Sequence, residues 1–336
     1  MSVDKAESFK ASFLELLPTA AELDVMLAEE SWRRECVPIV ENRLALPVNF
    51  IWQDGTLHKV VFESYDDDTP LGQVSARVYR DLLKRPEAES IRCLVVGNVA
   101  CEEFKNSQLL GDAVDLLARA GLPPNLERLD FARVGPISNS GDLGYYAITD
   151  LTPLLPKLSN IVELVIGGCR ALGKMDLPKL RELFLHNEVS AKNLKELSRA
   201  KLPMLERLEL EQYVYWEPEL RFKAARALLR SKGFPRLKHL VLVELDIDED
   251  QRLELEEDEE AQAEPDAWVE MIADSVVLKK LSTLRLSFRE DSLQLPQLVD
   301  RAEAFRHLDG LEFWGGRGNV RLEHPTREAI QAAFER

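Results

Sequence analysis

Nine times between Leu57 and Phe313 the chain repeats one hexad, apolar-x-x-apolar-x-apolar. The clearest copies are LERLDF from Leu126, LRELFL from Leu180, LERLEL from Leu205, LKHLVL from Leu237 and LSTLRL from Leu281. Weaker ones are LHKVVF from Leu57, IRCLVV from Ile91, IVELVI from Ile161 and LDGLEF from Leu308. Strand side chains alternate, so the fourth and sixth residues of each copy face the same way. One short strand cannot bury that face alone, whereas stacked neighbours can. Between the hexads lie helical patterns such as GQVSARVYRDLLKRP, SQLLGDAVDLLARAG, AKNLKELSRA, ELRFKAARALLRS, AWVEMIADSVVLKK and LPQLVDRAEAFRHL. Strand, turn, helix, turn, strand implies parallel strands joined by crossovers. Helices are wider than strands, so such a stack bends. The expected fold is an α/β right-handed solenoid, a horseshoe with a concave parallel sheet of about nine strands and helices on the convex side. Only 19 residues separate Ile161 from Leu180, which leaves room for a loop or a 3₁₀ turn there.

The flanks differ from the array. Residues 1–50 carry no hexad; SFKASFLELL has helical spacing, and Thr19-Ala-Ala-Glu22 behind Pro18 offers a capping box for a second helix towards Glu35. An N-terminal helical cap over the first repeat is expected. In VNFIWQDGTLHKVVF, Asp54-Gly55 between two alternating runs predicts a hairpin that opens the sheet. The array then runs over 51–320, with Trp314–Asn319 reading as a closing turn and 321–336 as a C-terminal cap helix.

The hexads resemble the L-x-x-L-x-L core of the leucine-rich repeat family over residues 57–313. Proline before the hexad, in Leu177-Pro178-Lys179-Leu180, Leu202-Pro203-Met204-Leu205 and Phe234-Pro235-Arg236-Leu237, is similar to that family too. The family places Asn or Cys three residues after the third apolar position, where it ties successive backbones together. Here those places hold Tyr65, Val99, Val134, Cys169, Glu188, Tyr213, Leu245, Arg289 and Gly316, and only Cys169 fits. The resemblance is therefore to divergent, irregular repeats of bacterial type. It implies a binding surface and not a reaction.

Composition narrows the partners. The net charge is −16, from 59 acidic and 43 basic residues. Residues 244–266 hold 13 carboxylates against Arg252 alone, a net −12, so the rest of the chain carries −4. With no basic run to neutralise phosphates, nucleic-acid binding is not expected. No apolar run approaches the roughly 20 residues that span a bilayer. MSVDKAESFK has charges where a signal peptide needs an apolar stretch, and Ser2 replaces the glycine of a myristoylation site, so a cytoplasmic protein is expected. Cys36, Cys93, Cys101 and Cys169 are too scattered for a disulfide framework and match no zinc spacing. No phosphate-binding loop is present, and no cysteine has Asp two residues on, as the ubiquitin ligases attached to some bacterial repeat proteins require. Asp246-x-Asp248-x-Asp250 mimics a calcium loop, but Gln251 stands where that loop needs glycine. No cofactor or metal is expected. The acidic insert reads either as a solvated, disordered segment or as a patch attracting a basic partner.

Candidate binding residues follow from the register. The third, fifth and seventh places of each hexad point to the concave face, which is expected to expose valines beside Phe184 and Trp314. That face offers Arg128, Asp130, Glu163, Val165, Glu182, Phe184, His186, Arg207, Glu209, Val241, Arg285 and Trp314. Apolar patches with a polar rim mark contact surfaces, and Arg, Trp and Phe are common anchors. The bland alternative is that Arg128/Asp130 and Arg207/Glu209 pair across strands on a solvated sheet. His186 and Glu211 share the face and could form a His–carboxylate pair, which on a sheet is more often a surface hydrogen bond than a catalytic dyad. The reading is a non-enzymatic binding scaffold, inhibitor or adaptor, for a basic protein partner. The alternative is a GTPase regulator resembling the leucine-rich activating proteins that carry acidic tracts.

Overall fold

The computed structural model describes residues 3–13, 16–17, 39–40, 43–44, 48–62, 71–96, 110–131, 150–167, 169, 171–186, 189–211, 218–243, 268–287, 294–315 and 318–334. The expected second helix after Thr19, the insert at 244–266 with its calcium-like spacing, Cys36, Cys101 and every ladder position except Cys169 lie outside the described residues.

The strands are β1 (Ile39–Val40), β2 (Arg43–Leu44), β3 (Val48–Gln53), β4 (Thr56–Phe62), β5 (Cys93–Val96), β6 (Arg128–Asp130), β7 (Glu163–Gly167) and β8 (Glu182–His186). They continue as β9 (Arg207–Glu211), β10 (His239–Val243), β11 (Thr283–Ser287), β12 (Gly310–Gly315) and β13 (Gly318–Glu323). β1 and β2 pair with each other, while β3 to β13 hydrogen-bond in sequence order as an 11-stranded sheet. All nine hexads are strands, β4 to β12. The two further strands are antiparallel arms at the edges, β3 on β4 and β13 on β12. The fold is thus α/β with a long, mostly parallel sheet. The chain divides into two units along β7, Met1–Ile161 with Val165–Gly167 and Val162–Leu164 with Gly168–Arg336.

Each hexad buries its first, fourth and sixth residues, and all 27 of these side chains are 3% exposed or less. Transfer of one such leucine from water contributes on the order of 2 kcal/mol, so the repeated burial is the main favourable term. In eight hexads the first residue's N–H bonds the carbonyl three residues earlier, as in Leu126 to Pro123, Leu180 to Leu177, Leu205 to Leu202 and Leu237 to Phe234. Proline at 124, 178, 203 and 235 occupies the second place of that turn, where its fixed φ is already suitable.

The first unit opens on the Asp54-Gly55 turn, with φ of 48° and 83°, as a two-residue hairpin with both central residues left-handed requires. Helix α1 (Val3–Ala11) lies at this end. Phe9 makes ring contacts with Phe50 and Trp52 of β3, and Phe13 stacks on Phe50. Arg85 ties the helix down, its guanidinium 3.8 Å from the Phe13 ring centroid and 2.6 Å from Asp81. Helices α2 (Leu71–Leu82) and α3 (Leu110–Ala120) follow the first two hexads. Tyr79 of α2 packs its ring on Phe62 and donates its hydroxyl to Gly121 O at 2.7 Å. Burial pushes its phenol far above the ordinary range. Gly121 ends α3 at φ 96°, the left-handed conformation a helix terminus assigns to glycine.

The second unit carries α4 (Ala191–Leu197), α5 (Pro218–Leu229), α6 (Trp268–Ala273), α7 (Gln294–Asp300), α8 (Ala302–Phe305) and α9 (Arg327–Phe334). Among the described residues no helix lies between β7 and β8, as the short interval predicts. α6 is shorter than its sequence pattern, because Ser275 turns the chain and its Oγ accepts from Leu278 N at 3.0 Å. The C-terminal segment departs from the expected single helix. Residues up to Glu323 form β13, and helix begins only at Arg327. A hairpin through the Gly315↔Gly318 pair supplies the last edge.

Successive crossovers are locked where helices return to strands. Lys201 N bonds Met175 O at 2.9 Å, Leu202 N bonds Gly233 O at 2.9 Å, and Ser231 Oγ donates to Ser198 O at 2.8 Å. A Cβ on Gly233 would stand 2.1 Å from the carbonyl oxygen of Ala200. Gly233→Ala must therefore push two bonded turns apart. It is expected to cost about 2–3 kcal/mol, read as a lowered denaturation midpoint; a midpoint equal to wild type contradicts this close approach.

Candidate functional site

A second-position carbonyl sets the register of the face opposite the buried hexad positions. In the second unit Val162 O accepts from Arg181 N and Glu182 N, at 2.8 and 3.1 Å. Arg181 O accepts from Glu206 N and Arg207 N, Glu206 O from Lys238 N and His239 N, and Lys238 O from Ser282 N and Thr283 N. A carbonyl has two lone pairs, so one oxygen serves both amides. The same device in the first unit joins Arg92 O to Glu127 N and Arg128 N. Equivalent hexad positions therefore stand side by side. Glu182, Arg207, His239, Thr283 and Gly310 form one row, and Phe184, Glu209, Val241, Arg285 and Glu312 the next.

The sequence-derived candidates divide between the units. Arg128, Asp130 and Val165 belong to the first and the others to the second. In the first unit the face is more closed than expected. Val61, Val95 and Val165 are 7%, 1% and 5% exposed, and Val61, Cys93 and Val95 form one buried apolar cluster. In the second unit Val241 is only 8% exposed. The expectation of exposed valines is thus corrected. In-register neighbours stand about 4.8 Å apart, so Val61 and Val95 shield each other, while Val241 lies between the longer Glu209 and Arg285.

The charges pair, but not across strands as the bland alternative had it. Arg128 meets Asp130 at 2.9 Å and Arg207 meets Glu209 at 3.0 Å, each two residues along its own strand. Arg285 does cross, reaching Glu312 at 3.4 Å. Asp130 is the most enclosed of these carboxylates, its side chain 10% exposed.

The densest group is on β8 and β9. His186 Nδ1 lies 3.0 Å from Glu211 Oε2. The Phe184 and His186 rings are 13° from parallel with centroids 6.2 Å apart, and the Arg207 guanidinium stands 5.2 Å from the Phe184 centroid. Phe184, His186, Glu209 and Glu211 are all half-buried, while Arg207 is exposed. A guanidinium, a phenyl ring and an imidazole are thus held in fixed order on a rigid sheet, with one carboxylate beside the guanidinium and another beside the imidazole. Trp314 lies in β12 with its backbone opposite Ser287 and Asn319.

Two features were missed in the sequence. His239 Nδ1 lies 2.8 Å from Thr283 Oγ1, a contact that alignment of the hexads already makes adjacent. Asn193, expected only to be helical, sends Nδ2 to the Cys169 carbonyl, and Glu196 Oε2 accepts from Leu172 N and Gly173 N. These two α4 side chains hold the chain after β7, and no local pattern announces them. Among the described residues no group of three or more His, Cys, Asp or Glu could hold a metal ion. Among the same residues no helix is long and apolar enough to cross a membrane.

No protein-family model matches the chain, and no curated protein matches it. Its fold is similar to the crystal structure of a Bacteroides fragilis protein, with a TM-score of 0.53 and 18% identity over 76% of this chain. The match spans 66% of that protein's length. At this identity the likeness concerns the fold alone.

The stack on β8 and β9 is testable as an interaction. Arg207→Ala and Phe184→Leu, singly and together, are expected to show a coupling of about 0.5–1 kcal/mol in chemical denaturation. Strictly additive effects contradict a guanidinium–ring contact.

Proposed function

We propose that this protein is a binding scaffold built as a divergent leucine-rich repeat solenoid, and that it engages a protein partner through the second unit's outward side-chain rows. The observation that carries this reading is the Arg207–Phe184–His186 stack. A half-exposed aromatic ring fixed by a guanidinium and an imidazole has little freedom left to lose on binding, which is what makes aromatic and arginine anchors effective. The strands beneath are locked by shared carbonyls, so the rows keep one geometry. The arrangement supports recognition better than chemistry. The hydroxyl of Thr283 has His239 beside it, but no carboxylate of the described residues is bonded to His239 to complete a nucleophile, base and orienting group.

The partner's complementary patch is basic. In the described rows of the second unit, Glu182, Glu209, Glu211 and Glu312 outnumber Arg207 and Arg285. Both arginines are already engaged by carboxylates of the same face. Complementary charge would speed encounter more than it would deepen affinity.

Affinity capture from the native cell with wild type and with Phe184→Ala/Trp314→Ala tests the reading. A partner retained by wild type and lost by the doubly substituted chain, at unchanged thermal stability, is the expected outcome. A partner list identical for the two proteins removes the sheet face as the site.

A further inference from the structure

The second unit has a charged surface that the sequence conceals. Four turns, at residues 174–181, 199–206, 230–238 and 274–282, hold eleven lysines and arginines against Asp176, Glu206 and Asp274, a net charge of +8. All eleven basic side chains are exposed. Of the three carboxylates, Asp274 is already bonded to Arg301, outside these turns. The bases are dispersed over more than 100 residues of sequence and never form a run.

The backbone brings them together. Lys201 N to Met175 O, Leu202 N to Gly233 O, Lys238 N to Glu206 O and Ser282 N to Lys238 O join each turn to the next. Successive turns therefore follow at about one strand spacing, roughly 4.8 Å, and their cations form a strip along the end where the strands begin. Its centre is the 230–238 turn, where Arg230, Lys232, Arg236 and Lys238 stand with no acidic residue among them. None of these four forms an ion pair among the described residues. Like charges this close repel, and a strip of one sign draws a polyanion.

We propose that this strip docks the acidic stretch Glu244–Asp266 of a second copy of the chain. The charges match locally, +8 on the strip against −12 on the stretch. β10 has Lys238 and His239 at the strip end, and the acidic stretch continues from Val243 at its other end. A head-to-tail contact between copies would join the strip of one to the stretch that leaves the opposite end of β10 in the other. A stretch serving its own strip has to run back along that five-residue strand, which a 23-residue segment is long enough to do, so a peptide titration separates that case from contact between copies. The inference is independent of the sheet-face site, because it uses none of the Arg207–Phe184–His186 group.

A fluorescent peptide of residues 244–266, titrated with the full chain, tests it. Binding is expected at about 20 mM salt, weakening at least tenfold by about 300 mM as exposed charges are screened. Lys232→Glu/Arg236→Glu/Lys238→Glu is expected to weaken it at least tenfold at low salt, with an unchanged thermal melt. Sedimentation of the full chain is expected to show concentration-dependent assembly that the same triple substitution abolishes. No peptide binding at low salt, equal binding by the substituted chain, or assembly that survives charge reversal overturns the proposal. So does peptide binding that appears only after the chain's own 244–266 carboxylates are changed to amides, because the stretch then occupies its own strip. A single-stranded RNA of similar length that displaces the peptide at lower concentration assigns the strip to nucleic acid instead.

Discussion

A backbone carbonyl shared by two amides of the next hexad, found at six of the eight junctions, is the contact on which the rest depends. It sits at the second hexad position, just before the strand, and recurs from Val162 through Arg181, Glu206, Lys238 and Ser282. Because it fixes each strand's start against its neighbour, the fourth and sixth positions meet the core together. A slip of one residue would expose every leucine of that strand and bury its charges. The hydrophobic term and the polar term therefore select the same register, which is the consistency that a single native arrangement needs.

This contact also accounts for an apparent deficiency in the sequence. No hexad carries an asparagine three residues after its last apolar place, where a side chain could tie successive backbones together. The turns before the strands carry a backbone ladder that needs no particular side chain. Their first residue is buried in all eight cases, and proline recurs at the second place because that place favours its fixed φ. Where the interval between strands is shortest, after β7, Asn193 and Glu196 reach back from α4 and hold the backbone in addition to this ladder.

The legible and illegible parts of the fold separate on physical grounds. Strand positions, the Asp54-Gly55 hairpin and the row neighbours could be read because each depends on alternation or on a residue with unusual backbone freedom. The His186–Glu211 pair was readable for the same reason, since rows become adjacent once the hexads are aligned. The closure of Val61, Val95 and Val165 was not readable, because side-chain burial depends on what stands beside and above a position. Nor was the second strand of the C-terminal hairpin, whose glycines read as a turn and whose alternation over Gly318–Glu323 is short. The basic turns form no run of charge along the chain; the structure assembles them across successive hexads.

A repeat of this kind separates stability from recognition. The hexad's first, fourth and sixth places are committed to the core, with no side chain among them more than 3% exposed. Substitution there is penalised by cavity formation or overpacking. The third, fifth and seventh places of the second unit other than Val241, and the turn residues between the buried anchors, are half-buried or exposed where described, with Arg207 and the eleven turn cations exposed, and carry a smaller penalty. These places can change chemistry while the backbone ladder stays intact. The same scaffold thereby presents two surfaces of different sign, an acidic sheet face with an aromatic stack and a basic strip along the strand starts. Their separation has a physical consequence. A ligand attracted to one surface is repelled by the other, so net charge alone is a poor guide to what this chain binds.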